Sequence, residues 1–210
     1  MAHAFAMPLW GQVLARALEL RIDVALNPGD VEHELGTLHD RIRRPGDKLH
    51  GMPEVPTGLP GIRLRYREAD GEYYVYVEDT RYGKLAGYTV FNRLIEVSRR
   101  ADRWVRAPHT KLGPAYQRCG LATAIYDWAL DGGLCLMSGA RQSEGANALW
   151  QALAKRHTRG YVDLRSKTLT YLGDAVSENV RDDLHTRMFL LGRGWTLTSF
   201  AEATGMSGLY

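Results

Sequence analysis

"LGPAYQRCGLATAIYDWALDGG", residues 112–133, contains an abrupt change from a turn pattern to a helix pattern. Gly113-Pro114 and the mixed residues after it are typical of a loop. From Leu121 onward, apolar residues recur at i, i+3, i+4, i+7 and i+8, which places them on one face of a helix. Gly132-Gly133 then ends that helix, because glycine tolerates the left-handed conformation that follows many helices. The stretch therefore predicts a tight loop followed by an amphipathic helix.

The loop before this helix has the chemistry of an anion-binding site. A helix N-terminus presents backbone N–H groups that have no partner inside the helix, together with the positive end of the helix dipole. Gly120 and Ala122 are small enough to let a phosphate approach the backbone, and Arg118 adds a positive side chain. The loop therefore predicts a pyrophosphate cradle. The alternative is a tight turn whose small residues only allow close packing of the helix on a sheet.

The segments on either side of the loop predict two kinds of strand pairing. Before it, four alternating segments separated by turns predict an antiparallel meander, with Asp70-Gly71 marking a hairpin. These strands are predicted at residues 62–68, 72–79, 85–97 and 103–113. After the loop, the helix, a short apolar strand at 134–138 and a second helix predict a βαβα unit with parallel pairing. Later strands are predicted at 161–165 and 187–192, and residues 166–186 receive no assignment.

The first 60 residues differ in pattern from the rest. Helices are predicted over residues 8–26 and from Asp30 to about Arg43, and a connector rich in proline and glycine follows to Gly61. We therefore expect an N-terminal helical segment and connector over residues 1–60 and a core domain over residues 61–210. The predicted fold class is α/β (α+β), with a mixed, mostly antiparallel sheet and flanking helices.

Composition narrows the class of protein. An apolar content of 45% and a charged content of 24% over 210 residues are typical of a globular protein with its own core. A net charge of +3 does not indicate nucleic-acid binding, but it allows a local positive patch for a phosphate-bearing ligand. Cys119 and Cys135 have neither metal-ligand nor redox spacing, which favours a reducing, cytoplasmic compartment and no metal site.

Residues 112–122 resemble a motif of the GCN5-related N-acetyltransferase (GNAT) superfamily. The family pattern is an apolar residue, any residue and proline, then Arg/Gln-x-x-Gly-x-Gly/Ala, and here it is read as Leu112-Gly113-Pro114 and Gln117-Arg118-Cys119-Gly120-Leu121-Ala122. The order of predicted elements over about residues 62–160 is also similar to that family. Residues 136–156 additionally resemble small acetyltransferase-like proteins of phage and prophage origin.

The resemblance implies an acyltransferase that moves an acetyl group from acetyl-coenzyme A to an amine by direct attack. It implies that the backbone near Lys111 and Leu112 pairs with the pantetheine arm and that backbone amides of residues 118–123 hold the pyrophosphate. A strand N–H would stabilise the oxyanion. The cofactor-binding residues that it implies are Lys111, Leu112, Gln117, Arg118, Cys119, Gly120, Leu121, Ala122 and Thr123.

The chain departs from the family pattern at the residues that move protons. Trp150 stands where the family often has a tyrosine acid, and Ser143 stands where it has an asparagine. Protonation of the leaving thiolate would therefore fall to Ser143, to a nearby tyrosine such as Tyr116, or to water. Glu96 and His109 are the candidate general bases, directly or through a water molecule.

The acceptor and the partners remain open at this stage. Basic residues in 41–48, 62–67 and 98–106 favour an acidic or macromolecular acceptor such as tRNA or DNA, and solvated loops are the alternative. The loss of tyrosine at position 150 also allows a non-catalytic binding module, and the phage resemblance allows a nucleic-acid-modifying transferase with another donor. We expect no membrane partner; the oligomeric state is open, and a dimer is one option.

Overall fold

A computed structural model describes residues 28–55 and 57–209 of this chain. Its strands are β1 (Glu54–Val55), β2 (Ile62–Ala69), β3 (Glu72–Asp79), β4 (Lys84–Asn92), β5 (Val105–Leu112), β6 (Cys135–Met137), β7 (Arg159–Asp163), β8 (Thr170–Gly173) and β9 (Thr186–Leu190). Its α-helices are α1 (Pro28–Arg43), α2 (Arg99–Asp102), α3 (Leu121–Asp131), α4 (Glu144–Leu153), α5 (Glu178–Arg181) and α6 (Leu197–Thr204). Short 3₁₀ turns lie at Pro114–Tyr116 and Arg165–Lys167. The helix predicted over residues 8–26 lies outside the described residues.

The described strands form a single sheet in the order β1-β2-β3-β4-β5-β6-β9-β7-β8. The pair β5–β6 is parallel and the other neighbouring strands are antiparallel. The parallel pair is the one joined by α3, as expected for a strand, helix and strand in succession. The predicted fold class, a mixed and mostly antiparallel sheet with flanking helices, is confirmed.

The hairpin between β2 and β3 forms at the predicted dipeptide. Asp70 and Gly71 have φ values of 55° and 77°, and Ala69 pairs with Glu72 across the turn. Two successive left-handed residues match the twist of the strands on either side, and Asp and Gly are among the residues that tolerate this conformation. The turn sets the register of β2 against β3 along its whole length.

Helices cover both faces of the sheet. On one face, Ile125 of α3 and Leu153 of α4 share a hydrophobic cluster with Val75 of β3. On the other face, Leu35 of α1 packs in a cluster with Tyr76, the next residue of β3. Successive residues of a strand point to opposite faces, so α1 and the α3–α4 pair lie on opposite sides of β3. None of the helices within residues 28–55 and 57–209 is long and apolar enough to cross a membrane.

The third strand of the meander is shorter than predicted. We expected it to continue to residue 97, but β4 ends at Asn92. The reason is Asp102, which is 7% exposed and accepts hydrogen bonds from Leu94 N at 2.8 Å and from Arg93 Nε at 2.8 Å. These bonds draw the chain out of the sheet and into a turn. The segment without a sequence assignment, residues 166–186, contains β8 and α5.

Candidate functional site

The two parallel strands separate soon after they pair. β5 pairs with β6 at Val105↔Cys135 and Arg106↔Leu136. On its other side, β5 stays paired with β4 as far as Gly87↔Leu112. Among the described strands, none pairs with residues 107–112 on the side that faces β6. We call this open edge of β5 the splay.

The register of β4 and β5 determines which backbone groups face the splay. Gly113 N donates to Ala86 O at 2.9 Å, so this position of the ladder bonds toward β4. Antiparallel ladders alternate between bonded and non-bonded pairs, so the N–H and C=O of Lys111 also face β4, whereas those of Thr110 and Leu112 face the splay. Pro108 has no N–H, which makes Thr110 the first residue of the splay with a free donor.

The loop after β5 leads to an uncapped helix end. Arg118 and Gly120 have left-handed φ values of 58° and 83°. The backbone ladder of α3 begins with Ala124 N donating to Gly120 O at 2.9 Å, so the N–H groups of residues 121–123 precede it. Gly120 caps the helix without a side-chain hydrogen bond, and a Cβ atom built on it would meet nothing within 4 Å. The helix end is therefore open to a ligand.

The loop is tied to the strand that precedes it. Gln117 Nε2 donates to Leu112 O at 3.3 Å, and Cys119 Sγ donates to Tyr116 O at 2.8 Å. Residues 117–120 are exposed. The nine residues predicted to bind the cofactor thus lie on the last part of β5, in this exposed loop and in the first turn of α3, and their binding role remains a prediction.

His109 lies on the face of β5 that carries α1. Its side chain points to the same side as that of Lys111, whose Nζ donates to Glu34 Oε2 of α1 at 2.9 Å. Burial and the nearby charge of Lys111 lower the pKa of His109. A neutral imidazole at neutral pH can accept a proton, which a general base requires.

Glu34 is a part of this group that sequence reasoning missed. It accepts from Tyr88 Oη at 2.7 Å as well as from Lys111. Burial opposes ionisation of Glu34, but the hydrogen bonds from Tyr88 and Lys111 outweigh it and lower its pKa. The α1 residue comes from a distant part of the chain, and no local pattern connects it to β5.

The other candidate base, Glu96, lies elsewhere. It was expected at the end of the third meander strand, but that placement is wrong because the strand ends before it. Glu96 lies in an exposed turn, and its carboxylate pairs with Arg187 Nη2 of β9 at 3.1 Å. The described residues do not bring Glu96 and His109 into one cluster.

Both hydroxyl groups considered as acids contact other parts of the protein. Ser143 Oγ accepts from Ala146 N at 3.2 Å and so caps α4. Tyr116 Oη donates to Asp79 Oδ2 at 3.0 Å, and burial together with this bond raises the pKa of Tyr116 to about 12. Whether either acts as an acid stays a prediction.

A cavity of about 490 Å³ lies beside the loop, at the same end of the sheet. Asp79 is fully buried there and pairs with Arg81 Nη2 at 2.9 Å. The residues that line the cavity include Asp79, Arg81, Lys84, Tyr116, Cys119 and Leu121. The Asp79 carboxylate thus holds both the loop residue Tyr116 and the turn residue Arg81.

This carboxylate gives a prediction about acid stability. Hydrogen bonds from Arg81 lower the pKa of Asp79 from the ordinary 3.8 to about 2. Because the folded state binds the proton more weakly, Asp79 stabilises the protein above about pH 4, and this contribution is lost as the pH falls toward about 2. We expect Asp79→Asn to make the melting temperature less dependent on pH in that window. Thermal unfolding from neutral to acidic pH measures it.

Asp131→Asn is the matched control for this experiment, because Asp131 also pairs with an arginine but is 53% exposed. Its melting curve should follow the wild type at every pH. Parallel curves for Asp79→Asn and the wild type would contradict the stabilising role of the buried carboxylate.

Comparison with known proteins gives structural likenesses. No family model and no curated protein sequence matches the chain. A GNAT superfamily phosphinothricin acetyltransferase from Sinorhizobium meliloti, solved in complex with AcCoA, is similar with a TM-score of 0.37 and 19% identity. That alignment covers 59% of this chain and 63% of the acetyltransferase, which is less than two thirds of its length.

Two further solved structures are similar over more of the chain. A ribosomal-protein-S5-alanine acetyltransferase from Vibrio fischeri has a TM-score of 0.36 and 12% identity. The alignment covers 81% of this chain and 92% of the Vibrio fischeri chain. A cAMP-binding acyltransferase from Mycobacterium smegmatis has a TM-score of 0.42 and 9% identity. The alignment covers 90% of this chain and 61% of the Mycobacterium smegmatis chain. At these TM-scores, none of the likenesses extends its neighbour's activity to this chain.

Proposed function

We propose that this protein is an acyltransferase that uses acetyl-coenzyme A to acetylate an amine. The observation that carries the proposal is that the splay of β5 leads directly, through the loop, to the uncapped N-terminus of α3. An extended pantetheine arm can add to a free strand edge by hydrogen bonding, as peptides do. A pyrophosphate suits free N–H groups at the positive end of a helix. One ligand that carries both parts, in this order, is coenzyme A.

The residues of the splay supply the chemistry that the reaction needs. Thr110 N–H and Leu112 N–H face the splay and are the donors available to the thioester carbonyl as its oxygen becomes negative. His109 lies on the α1 face of the same strand and takes the proton of the attacking amine, directly or through water. The acetyl-coenzyme A co-substrate supplies the activated acyl group.

The acceptor is proposed as an amine that approaches from the α1 side, where His109 and Glu34 lie. Several basic residues that could attract a nucleic acid are already occupied within the protein. Arg65 pairs with Glu78 at 3.0 Å, and Arg100 donates to backbone carbonyls at the end of α6. A nucleic-acid acceptor therefore depends on the remaining exposed arginines, such as Arg103.

A titration with acetyl-coenzyme A tests the proposal. We expect one saturable site in isothermal calorimetry, and release of free thiol when the complex is mixed with a panel of small amines, polyamines and RNA. Binding without thiol release by any amine would favour the non-catalytic module. A folded protein that does not bind acetyl-coenzyme A would refute the proposed function.

A further inference from the structure

A buried tyrosine contacts Thr110, a residue of β5 whose backbone N–H and C=O face the splay. Tyr126 of α3 is 4% exposed, and its ring centroid is 6.0 Å from that of Phe91 in β4 and 6.2 Å from that of Trp150 in α4. It therefore occupies the layer between the sheet and α4, on the face that carries α3. Its ring packs edge-on against the indole of Trp150.

The hydroxyl of Tyr126 belongs to a small chain of hydroxyl groups. Thr110 Oγ1 donates a hydrogen bond to Tyr126 Oη at 3.2 Å, and Thr110 Oγ1 is also 2.8 Å from Thr89 Oγ1. Thr110 has a single hydroxyl hydrogen and gives it to Tyr126, so Thr89 is the donor to Thr110. The hydroxyl hydrogen of Tyr126 therefore has no acceptor within the trio. Tyr126 is buried, and a buried hydroxyl hydrogen without an acceptor is costly. The trio is thus able to donate one hydrogen bond to a ligand.

Thr110 connects this trio to the splay. Its side chain points to α3, whereas its backbone N–H and C=O face the splay, where the proposed function places the thioester. The Tyr126 hydroxyl is therefore one side chain away from the strand edge on which the acyl group would lie. Neither Ser143 nor Tyr116 has a comparable connection to Thr110 among the described contacts.

We propose that the Tyr126 hydroxyl donates a hydrogen bond to the sulfur of the departing coenzyme A thiolate; this rests on the proposed function. The amine nitrogen forms its bond to the carbonyl carbon, and the carbon–sulfur bond then breaks with its electrons on sulfur. The amine proton leaves through His109 to solvent, and the thiolate takes a proton from solvent as it departs. Tyr126 stabilises the charge on sulfur throughout and keeps its own proton.

Two physical properties fit this role. Burial raises the pKa of Tyr126 to about 12, so the phenol remains a donor over the working pH range. A hydrogen bond to a charged acceptor is stronger than one between neutral groups, so the bond strengthens as negative charge develops on sulfur. That difference favours the transition state over the bound thioester.

The thiol of bound coenzyme A provides a direct test without an acceptor. Titrating the complex and following thiolate absorbance should show that Tyr126→Phe raises the pKa of the bound thiol by about one unit, because a charged hydrogen bond is lost. Tyr161→Phe removes another buried phenol from the same hydrophobic cluster and should leave that pKa unchanged. An unchanged pKa in Tyr126→Phe with normal binding would overturn the inference.

A kinetic measurement adds a second readout. With hydroxylamine as the acceptor probe, we expect Tyr126→Phe to lower kcat about tenfold to a hundredfold with little change in KM for acetyl-coenzyme A. Thr110→Val keeps the backbone donors and removes the hydroxyl that holds the phenol, so a smaller fall in kcat is expected. Equal kcat in all three proteins would refute the role of Tyr126 while the proposed function stands. Failure of the wild type to bind coenzyme A would refute both.

Discussion

Gly120→Asp is expected to weaken coenzyme A binding at least about 100-fold, equivalent to about 2.7 kcal/mol. The substitution places a carboxylate at the open N-terminus of α3, where the proposed pyrophosphate would meet the free N–H groups of residues 121–123. A Cβ atom at this position would meet no heavy atom within 4 Å, so the side chain can begin without a clash. The loss would come from repulsion between the carboxylate and the pyrophosphate, and from competition for the same donors.

Gly120→Asn is the matched control, because asparagine has the same shape without the charge. Both residues tolerate the left-handed φ of 83° better than most side chains do, so the backbone cost is shared. We expect Gly120→Asn to bind coenzyme A within about threefold to tenfold of the wild type. Calorimetry on both variants measures the difference. Similar affinity in the two variants would show that the pyrophosphate is not bound at this helix end.

The local features of this site were predictable because their signals lie in consecutive residues. The loop, the start of α3 at Leu121 and the glycines after the helix follow from spacing over residues 112–133. The Asp70-Gly71 hairpin follows from the left-handed conformation that its turn requires. In each case, one short segment contains the whole physical reason.

Features that depend on distant residues were not predictable in the same way. β4 ends early because Asp102, in the next helix, accepts a hydrogen bond from Leu94 N. Glu96 therefore lies outside the strand and pairs with Arg187 instead. Glu34 reaches Tyr88 and Lys111 because α1 packs on the sheet. Neither contact has a signature in local hydrophobic periodicity.

The distinction between Lys111 and Leu112 needed the register of the sheet. The backbone near both residues was predicted to pair with a pantetheine arm. A one-residue change in register would exchange the residue whose backbone N–H and C=O face the splay. The bond from Gly113 N to Ala86 O distinguishes the two residues. The backbone N–H and C=O of Leu112 face the splay, and those of Lys111 face β4. The same register gives Thr110 its two roles, with its backbone at the splay and its hydroxyl beside Tyr126.

The register also predicts that Gly87→Ala will be strongly destabilising. Gly87 is buried in β4 opposite Leu112, and a Cβ atom there would lie 2.5 Å from Leu112 Cδ2 and 3.0 Å from Leu112 Cα, and would also contact Lys111 O. The backbone of β5 cannot yield without losing its pairing with β4. We expect a loss of about 3 kcal/mol or more in the free energy of unfolding, at the upper end for overpacked sites.

Gly36→Ala in α1 is the control for this substitution, because a Cβ atom at Gly36 meets nothing within 4 Å. Alanine favours the helix over glycine, so this variant should gain up to about 1 kcal/mol. Urea unfolding of both variants and the wild type gives the free energies. A Gly87→Ala protein within about 1 kcal/mol of the wild type would mean that β5 can move away from β4. In that case β5 would not provide the fixed strand edge that a pantetheine arm requires. The affinity of the Gly87→Ala protein for coenzyme A should therefore be measured together with its stability. A variant that stays folded but loses the ligand would separate the position of the strand from the stability of the sheet.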